Sequence, residues 1–266
     1  MSWIDRLKAR FTPPAPRKSV EERLSQAFEA AQADDHGAAV ALWRVLADEG
    51  VARAQSNLGA CYAEGLGVAR DPATAAEWFA KAARAGDAVG RRNLAALHFK
   101  GEGVPQDDAA ALALYRQAAE QDDPAAQDML SWMLLEGQGA AQDLAGARHW
   151  ALAAAENGVA SAMTRLGLMA NNALGMERNK TEAASWWAEA ARRGDADGQA
   201  MLGAALHLGQ GVAKDDAAAL GWLLRAEAGG SALAAPFLGA VRGALTDDEA
   251  RQAEASARAP MDAPSR

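Results

Sequence analysis

The side chains and loops in this sequence that could carry chemistry are glycine-rich loops, scattered histidines, paired carboxylates and one cysteine. Gly65-Leu-Gly67, Gly101-Glu-Gly103, Gly137-Gln-Gly139 and Gly209-Gln-Gly211 could suggest phosphate cradles, with Gly175 closing a fifth loop. They follow helical rather than strand patterns, and no Gly-Lys-Ser/Thr completes a P-loop, so they read as punctuation between helices. His36, His98, His149 and His207 fall in four different slots of the repeat described below, and no metal site or other cofactor is expected. His98 takes the slot that Tyr62 holds elsewhere and is expected to pack rather than ligate. Asp34-Asp35, Asp107-Asp108 and Asp215-Asp216 stand where helices should begin, and there a carboxylate meets the positive end of the helix dipole. Cys61 is the single cysteine and has no obvious His partner in sequence. No Gly-x-Ser-x-Gly or His-Glu-x-x-His is present. The chain is expected to be non-catalytic.

The elements that carry these residues follow from an unusual alphabet. Of 266 residues 71 are alanine and 25 glycine, while aromatics make up only 6%. Such a composition suits helices packed closely along small faces, because alanine has the highest helix propensity. It disfavours sandwiches and barrels, which want β-branched and aromatic residues. One cysteine excludes an intramolecular disulfide framework and a Cys-based zinc site. No apolar run is long enough to span a bilayer. A net charge of −8 argues against nucleic acid as a partner, since phosphate binding needs a basic field. Met1 to Phe11 lacks the apolar core and small-residue cleavage site of a signal peptide. A cytoplasmic location is expected.

Four ladders run through the chain at a spacing of 36 residues. Gly50, Gly86, Gly158, Gly194 and Gly230 form one, with Asp122 on its missing rung. Leu58, Leu94, Leu130, Leu166, Leu202 and Leu238 form the second; the loop glycines Gly67, Gly103, Gly139, Gly175 and Gly211 the third; Ala75, Ala111, Ala147, Ala183 and Ala219 the fourth. Each period predicts two antiparallel helices. The first starts after Val51, Asp87, Asp123, Val159, Asp195 or Ser231, four of which can cap a helix, and runs about 13 residues. It stops at Gly65, Gly101, Gly137 or Gly209, each suited to a left-handed terminal position. In the fourth repeat Ala173 replaces that glycine, so either Asn171 or Asn172 takes the left-handed conformation or the loop carries about 1 kcal/mol of strain. Asp71, Asp107, Asp143, Asn179 and Asp215 are expected to cap the second helix.

Ala54, Leu58, Gly59, Tyr62, Gly65, Gly67, Val68, Asp71, Ala75, Trp78, Ala82, Ala83 and Gly86 together resemble the Sel-1-like repeat, a relative of the tetratricopeptide repeat. The resemblance covers five units at 51–86, 87–122, 123–158, 159–194 and 195–230. It implies an all-α fold, a right-handed α-solenoid (superhelix) of helix–turn–helix repeats, and binding to a protein or peptide as an adaptor. Residues 20–50 are expected to form an N-terminal helix-pair cap and residues 231–258 C-terminal cap helices, the latter opened by a capping box at Thr246 and Glu249. Polar caps of this kind favour a monomer. Residues 259–266 are expected to be a disordered tail.

Trp78, Trp150, Trp186 and Trp222 share one slot and are expected to stack between successive repeats, with Trp43 and Trp187 one residue later and partly buried. By analogy with tetratricopeptide repeats, the first helices line a concave groove. Its outward slots are Arg53, Asn57, Ala60 and Glu64, then Arg92, Asn93 and Lys100, then Asp128, Met129, Trp132 and Glu136, then Arg165 and Leu168, then Met201 and His207, and last Phe237. Trp132 beside Met129, Leu168 and Met201 suggests an apolar patch, with Arg53, Arg92, Lys100 and Arg165 placing positive charge around it. An extended or helical peptide with apolar anchors and acidic flanks would fit. The alternative is that the superhelix buries Trp132 against its neighbours.

Residues 1–18 carry five basic side chains and one acidic, which leaves −12 on the remainder. Trp3, Ile4, Leu7 and Phe11 share one helical face there, and Pro13-Pro14-Ala15-Pro16 separates residues 1–19 from the repeats. Three readings stand: packing on the chain's own repeats or plain disorder, docking on a partner, or peripheral contact with an anionic inner-membrane surface through residues 1–11, which would make the chain a membrane-surface accessory protein of the cell envelope in place of an adaptor.

Overall fold

The computed structural model describes residues 18–259. Among them are fourteen helices and no strand. They are α1 (Val20–Gln32), α2 (His36–Asp48), α3 (Ala52–Glu64), α4 (Pro72–Arg84), α5 (Ala88–Lys100), α6 (Asp108–Ala119) and α7 (Pro124–Glu136). There follow α8 (Leu144–Glu156), α9 (Ala160–Asn172), α10 (Lys180–Arg192), α11 (Ala196–Leu208), α12 (Asp216–Ala228), α13 (Ala235–Gly243) and α14 (Asp247–Arg258). The described chain divides into two compact units. One runs to Asn93 and includes Glu102–Val104; the other is Leu94–Gly101 with Pro105 onward. Helix α5 contributes residues to both.

Helix boundaries follow the punctuation. The side chains of Asp71, Asp107, Asp143, Asn179 and Asp215 each accept a bond from the backbone N–H two or three residues on, satisfying donors that the helix leaves free. Asp123 and Asp195 do the same for first helices, whereas Val51 and Val159 supply no side-chain cap. Thr246 and Glu249 form the expected capping box, and Ser19 and Glu22 form a second one at the start of α1. Ser231 departs from expectation. It caps no helix, and α13 begins four residues later at Ala235. Pro236 is the reason: deep inside a helix begun after Ser231 it would remove one hydrogen bond and clash with the preceding turn, but near the N-terminus of α13 it costs nothing.

At the fourth loop Ala173 itself takes the left-handed conformation, with φ 59°. Asn171 and Asn172 remain helical, so the strain falls on an alanine. Asp122 sits at φ 59° on the rung where its counterparts are glycines at φ between 84° and 90°. The second loop glycine has a different role. A Cβ on Gly211 would lie 1.9 Å from the carbonyl oxygen of Lys180, because the loop of one repeat lies on the start of the preceding repeat's second helix.

The core lies one residue beyond the tryptophan ladder. Trp43, Phe79, Tyr115, Ala151, Trp187 and Leu223, spaced by 36 residues, are all 5% exposed or less. Trp78, Trp150, Trp186 and Trp222 are only half-buried. Trp43 and Trp187, expected to be partly buried, are core, while Trp78, Trp186 and Trp222 pack against it from its edge. Lys81 lies 3.6 Å from the Trp78 ring centroid, as a solvent-edge indole permits. Opposite the core slot the first helix supplies small residues. Cβ atoms added at Gly59, Gly167 and Gly203 would come within 2.7, 2.3 and 2.7 Å of Phe79, Trp187 and Leu223.

Candidate partner-binding surface

The first helices α3, α5, α7, α9, α11 and α13 present residues 57, 93, 129, 165, 201 and 237 at equivalent positions, with 60, 96, 132, 168, 204 and 240 one turn on. Within the first unit these positions are mainly polar. Arg53 is exposed and its guanidinium carbon lies 4.8 Å from the Phe28 ring centroid. Asn57 is half-buried, with a buried Nδ2 that has no partner. Arg92 donates from Nε to Asn93 Oδ1 at 3.5 Å.

In the second unit the surface is more apolar, and two of its charges, Arg165 and Asp128, are paired with each other. Trp132 is half-buried and meets Phe99 edge-on, with ring centroids 5.5 Å apart at 89°. Phe99 comes from the preceding repeat and was not among the expected lining residues. Met129 is half-buried nearby in sequence, and Lys100 is exposed. Arg165 differs from the expectation of free positive charge. Its Nη1 donates to Asp128 Oδ1 at 2.5 Å and to the Asp128 carbonyl at 3.3 Å, in a pair whose side chains are 12% and 17% exposed. Ser161 donates to the other Asp128 oxygen at 2.8 Å. A pair so enclosed and so fully bonded presents little net field to a ligand.

Leu168, Met201, Phe237 and Leu238 pack against the largest core cluster while staying partly accessible. Met201 and Phe237 also line one hollow of about 230 Å³ with Ala200, Ala204, Ala232, Leu233 and Pro236. Every one of these residues is apolar, and Leu233 is 42% exposed at it. Ser231 shapes this wall by donating to Asp197 at 2.6 Å and accepting from the Leu233 N–H at 3.3 Å, which fixes the turn before α13. The turn exists because Pro236 delays the helix, and it is what carries Leu233 to the surface.

His207, another of the outward slots, is held by the helix that follows it. His207 is bonded through Nδ1 to Asp216 Oδ1 at 2.6 Å, and Lys214 lies 3.2 Å from the other oxygen. The His207 bond, aided by Lys214, holds the Asp216 carboxyl below its ordinary range. Burial pushes the Cys61 thiol up, which makes it a poorer nucleophile. Among the described residues no group of three or more His, Cys, Asp or Glu side chains could hold a metal ion, and no helix is long and apolar enough to cross a membrane. Trp3, Ile4, Leu7 and Phe11 lie outside the described residues.

Helix pairs repeated every 36 residues, each keyed to the one before, define an α-solenoid repeat protein. Residues 52–87, 88–123, 124–159, 160–195 and 196–231 each match the family model described as Sel1 repeat, and the chain belongs to the Sel1 repeat family. It is similar to a Sel1 repeat protein of Oxalobacter formigenes, at 25% identity and a TM-score of 0.79 over 91% of this chain and 99% of that one. It is also similar to c5321, a protective antigen of uropathogenic Escherichia coli with an SLR fold, at 29% identity and a TM-score of 0.79 over 95% of this chain. This chain spans 55% of the length of c5321. A Sel1 repeat protein of Klebsiella pneumoniae shares the fold at 21% identity and a TM-score of 0.50, over 76% of this chain and 98% of that one. None of the curated proteins matches the chain.

Proposed function

We propose that this chain is a non-catalytic scaffold that holds a protein partner on the outward slots of its first helices. The observation that carries this reading is the wholly apolar hollow at Met201, Leu233 and Phe237. At about 230 Å³ it lies below the ~300–1,000 Å³ of ordinary small-molecule sites, and it suits a single apolar side chain of a partner. Such anchors in desolvated pockets supply most of the energy of many interfaces. Leu233 loses its exposed surface when the hollow fills, at about 25 cal/mol per Å². Trp132 with Phe99, Met129 and Leu168 offer further apolar surface on the same slots, and Lys100 an exposed positive charge. A phage library of random peptides panned on the full chain tests this. Enriched peptides should share an apolar anchor and lose binding to a Met201→Asp variant of unchanged helicity. Equal binding to both proteins would reject the hollow as the site.

A further inference from the structure

The seam between α12 and α14 carries a second feature, which shares no residue with the hollow at Met201. Helix α14 has only one buried residue, Ala253, so it covers α12 loosely. Two hollows follow each other along the seam. The first, of about 420 Å³, is lined by residues of α12 up to Arg225, Trp222 among them, and by Glu249, Gln252, Ala253 and Ser256 of α14; the Glu249 carboxylate there is already held by the Thr246 N–H and hydroxyl. The second, of about 630 Å³, is lined by the C-terminal ends of both helices, by Arg242 of α13, by Gly194 and by Gln199 of α11. Arg225 and Ala257 line both.

Three arginines, Arg225, Arg242 and Arg258, face the second hollow against one carboxylate, Glu254. In a chain of net charge −8 this is a local excess of positive charge. The fold engages two of these arginines and leaves the third. Arg225 donates from Nη2 to the carbonyls of Ser256 and Ala259 at 2.6 and 2.9 Å, latching the C-terminal end of α14. Arg242 pairs with Glu254 through Nη2. Arg258 has no hydrogen bond or ion pair among the described residues. A guanidinium offers about five N–H donors, so most donors here are free for an acceptor. Between the arginines the wall is apolar, at Leu224, Ala228 and Ala257.

We infer that this seam is a binding site for a short acidic peptide segment of a partner. Its carboxylates would meet Arg242 and Arg258, bidentate where geometry allows, and an adjoining apolar side chain would lie toward Trp222. The shared Arg225 and Ala257 make the two hollows one lane, which an extended peptide fills and a compact anion does not. Charge on the lane also speeds encounter and makes binding salt-sensitive.

Fluorescence anisotropy on the full chain tests the site with two labelled octapeptides, four glutamates followed by four leucines and alanines, and the reverse order. At least one should saturate at micromolar concentration, weaken with added salt and fail when lysine replaces glutamate. Arg258→Gln should weaken it about tenfold, the effect of one lost charged hydrogen bond, and this side chain holds nothing in the fold. Arg242→Gln should act in the same direction, and Met201→Asp should change nothing, which separates this site from the one proposed above. No saturation below millimolar peptide, or unchanged affinity in both arginine variants, overturns the proposal. Citrate competing as tightly as the peptide binds would also overturn it, in favour of a compact anion.

Discussion

Gly167 and Trp187 are fitted to one another: a Cβ on Gly167 would lie 2.3 Å from the indole Nε1, which itself donates to the Thr164 carbonyl at 3.3 Å. The same relationship links Gly59 with Phe79 and Gly203 with Leu223. Where the core slot holds Ala151, the position opposite holds Ser131, which is 0% exposed and donates to the Ala147 carbonyl at 2.8 Å. Size on one helix is thus matched by its absence on the other in four of the five repeats; in the second, Tyr115 faces Ala95, small but not glycine.

Gly167→Ala should therefore destabilise the protein by about 1–3 kcal/mol through overpacking. Gly239→Ala, on the equivalent position of α13, meets nothing within 4 Å and should instead stabilise by about 0.5–1 kcal/mol through helix propensity. Urea denaturation of the two variants checks the sign. Similar effects at both positions would count against the fitted pair.

Ala151→Leu alone should cost about 1–3 kcal/mol, because Ser131 occupies the space. Combined with Ser131→Gly, much of that loss should return. A double-mutant cycle measures the coupling, which the matched-size account requires to be about 1 kcal/mol or more.

Ala173→Gly should stabilise by about 1 kcal/mol, since an alanine at φ 59° carries a left-handed penalty that glycine does not. The same substitution at Ala170, helical and fully buried, should destabilise. Thermal melts of both variants distinguish local backbone strain from a general tolerance of glycine.

Asp216 links stability to pH. Its carboxyl is held below its ordinary 3.8 first by the His207 hydrogen bond and then by Lys214, against the opposing effect of burial. A depressed folded-state value means that this contribution is complete above about 3.8 and is lost as pH falls through the lower folded value. Asp216→Asn should cost about 1 kcal/mol at pH 7 and almost nothing once the pH is below that folded value. Denaturation at a series of pH values reads the difference, and a deficit independent of pH would contradict it.

Helix positions were legible because capping and left-handed residues act locally: Asp71 or Gly65 needs only its own turn. Ser231 misled because its chemistry suits a cap while Pro236, five residues on, decides where the helix can begin. The core slot was misread for a different reason. Trp78, Trp150, Trp186 and Trp222 repeat in kind, whereas the buried neighbours vary from Trp43 to Ala151 and show no repeated type. Adjacent helical positions differ by about 100°, so only the facing helix reveals which is deeper. The Arg165–Asp128 pair and the Phe99–Trp132 contact depend on the offset between successive repeats, which no local pattern encodes. Met201 and Phe237 were legible as outward slots, but the hollow they share needed the turn at Leu233.

The proposed scaffold role is most directly tested by where a partner touches the chain in cells. A photo-crosslinking amino acid placed at the position of Ala204, in the apolar hollow, should yield a discrete partner adduct, and one at exposed Glu77 on a second helix should not. Adducts of equal yield and identity from both positions, or none from Ala204 while Glu77 captures a partner, would contradict the account.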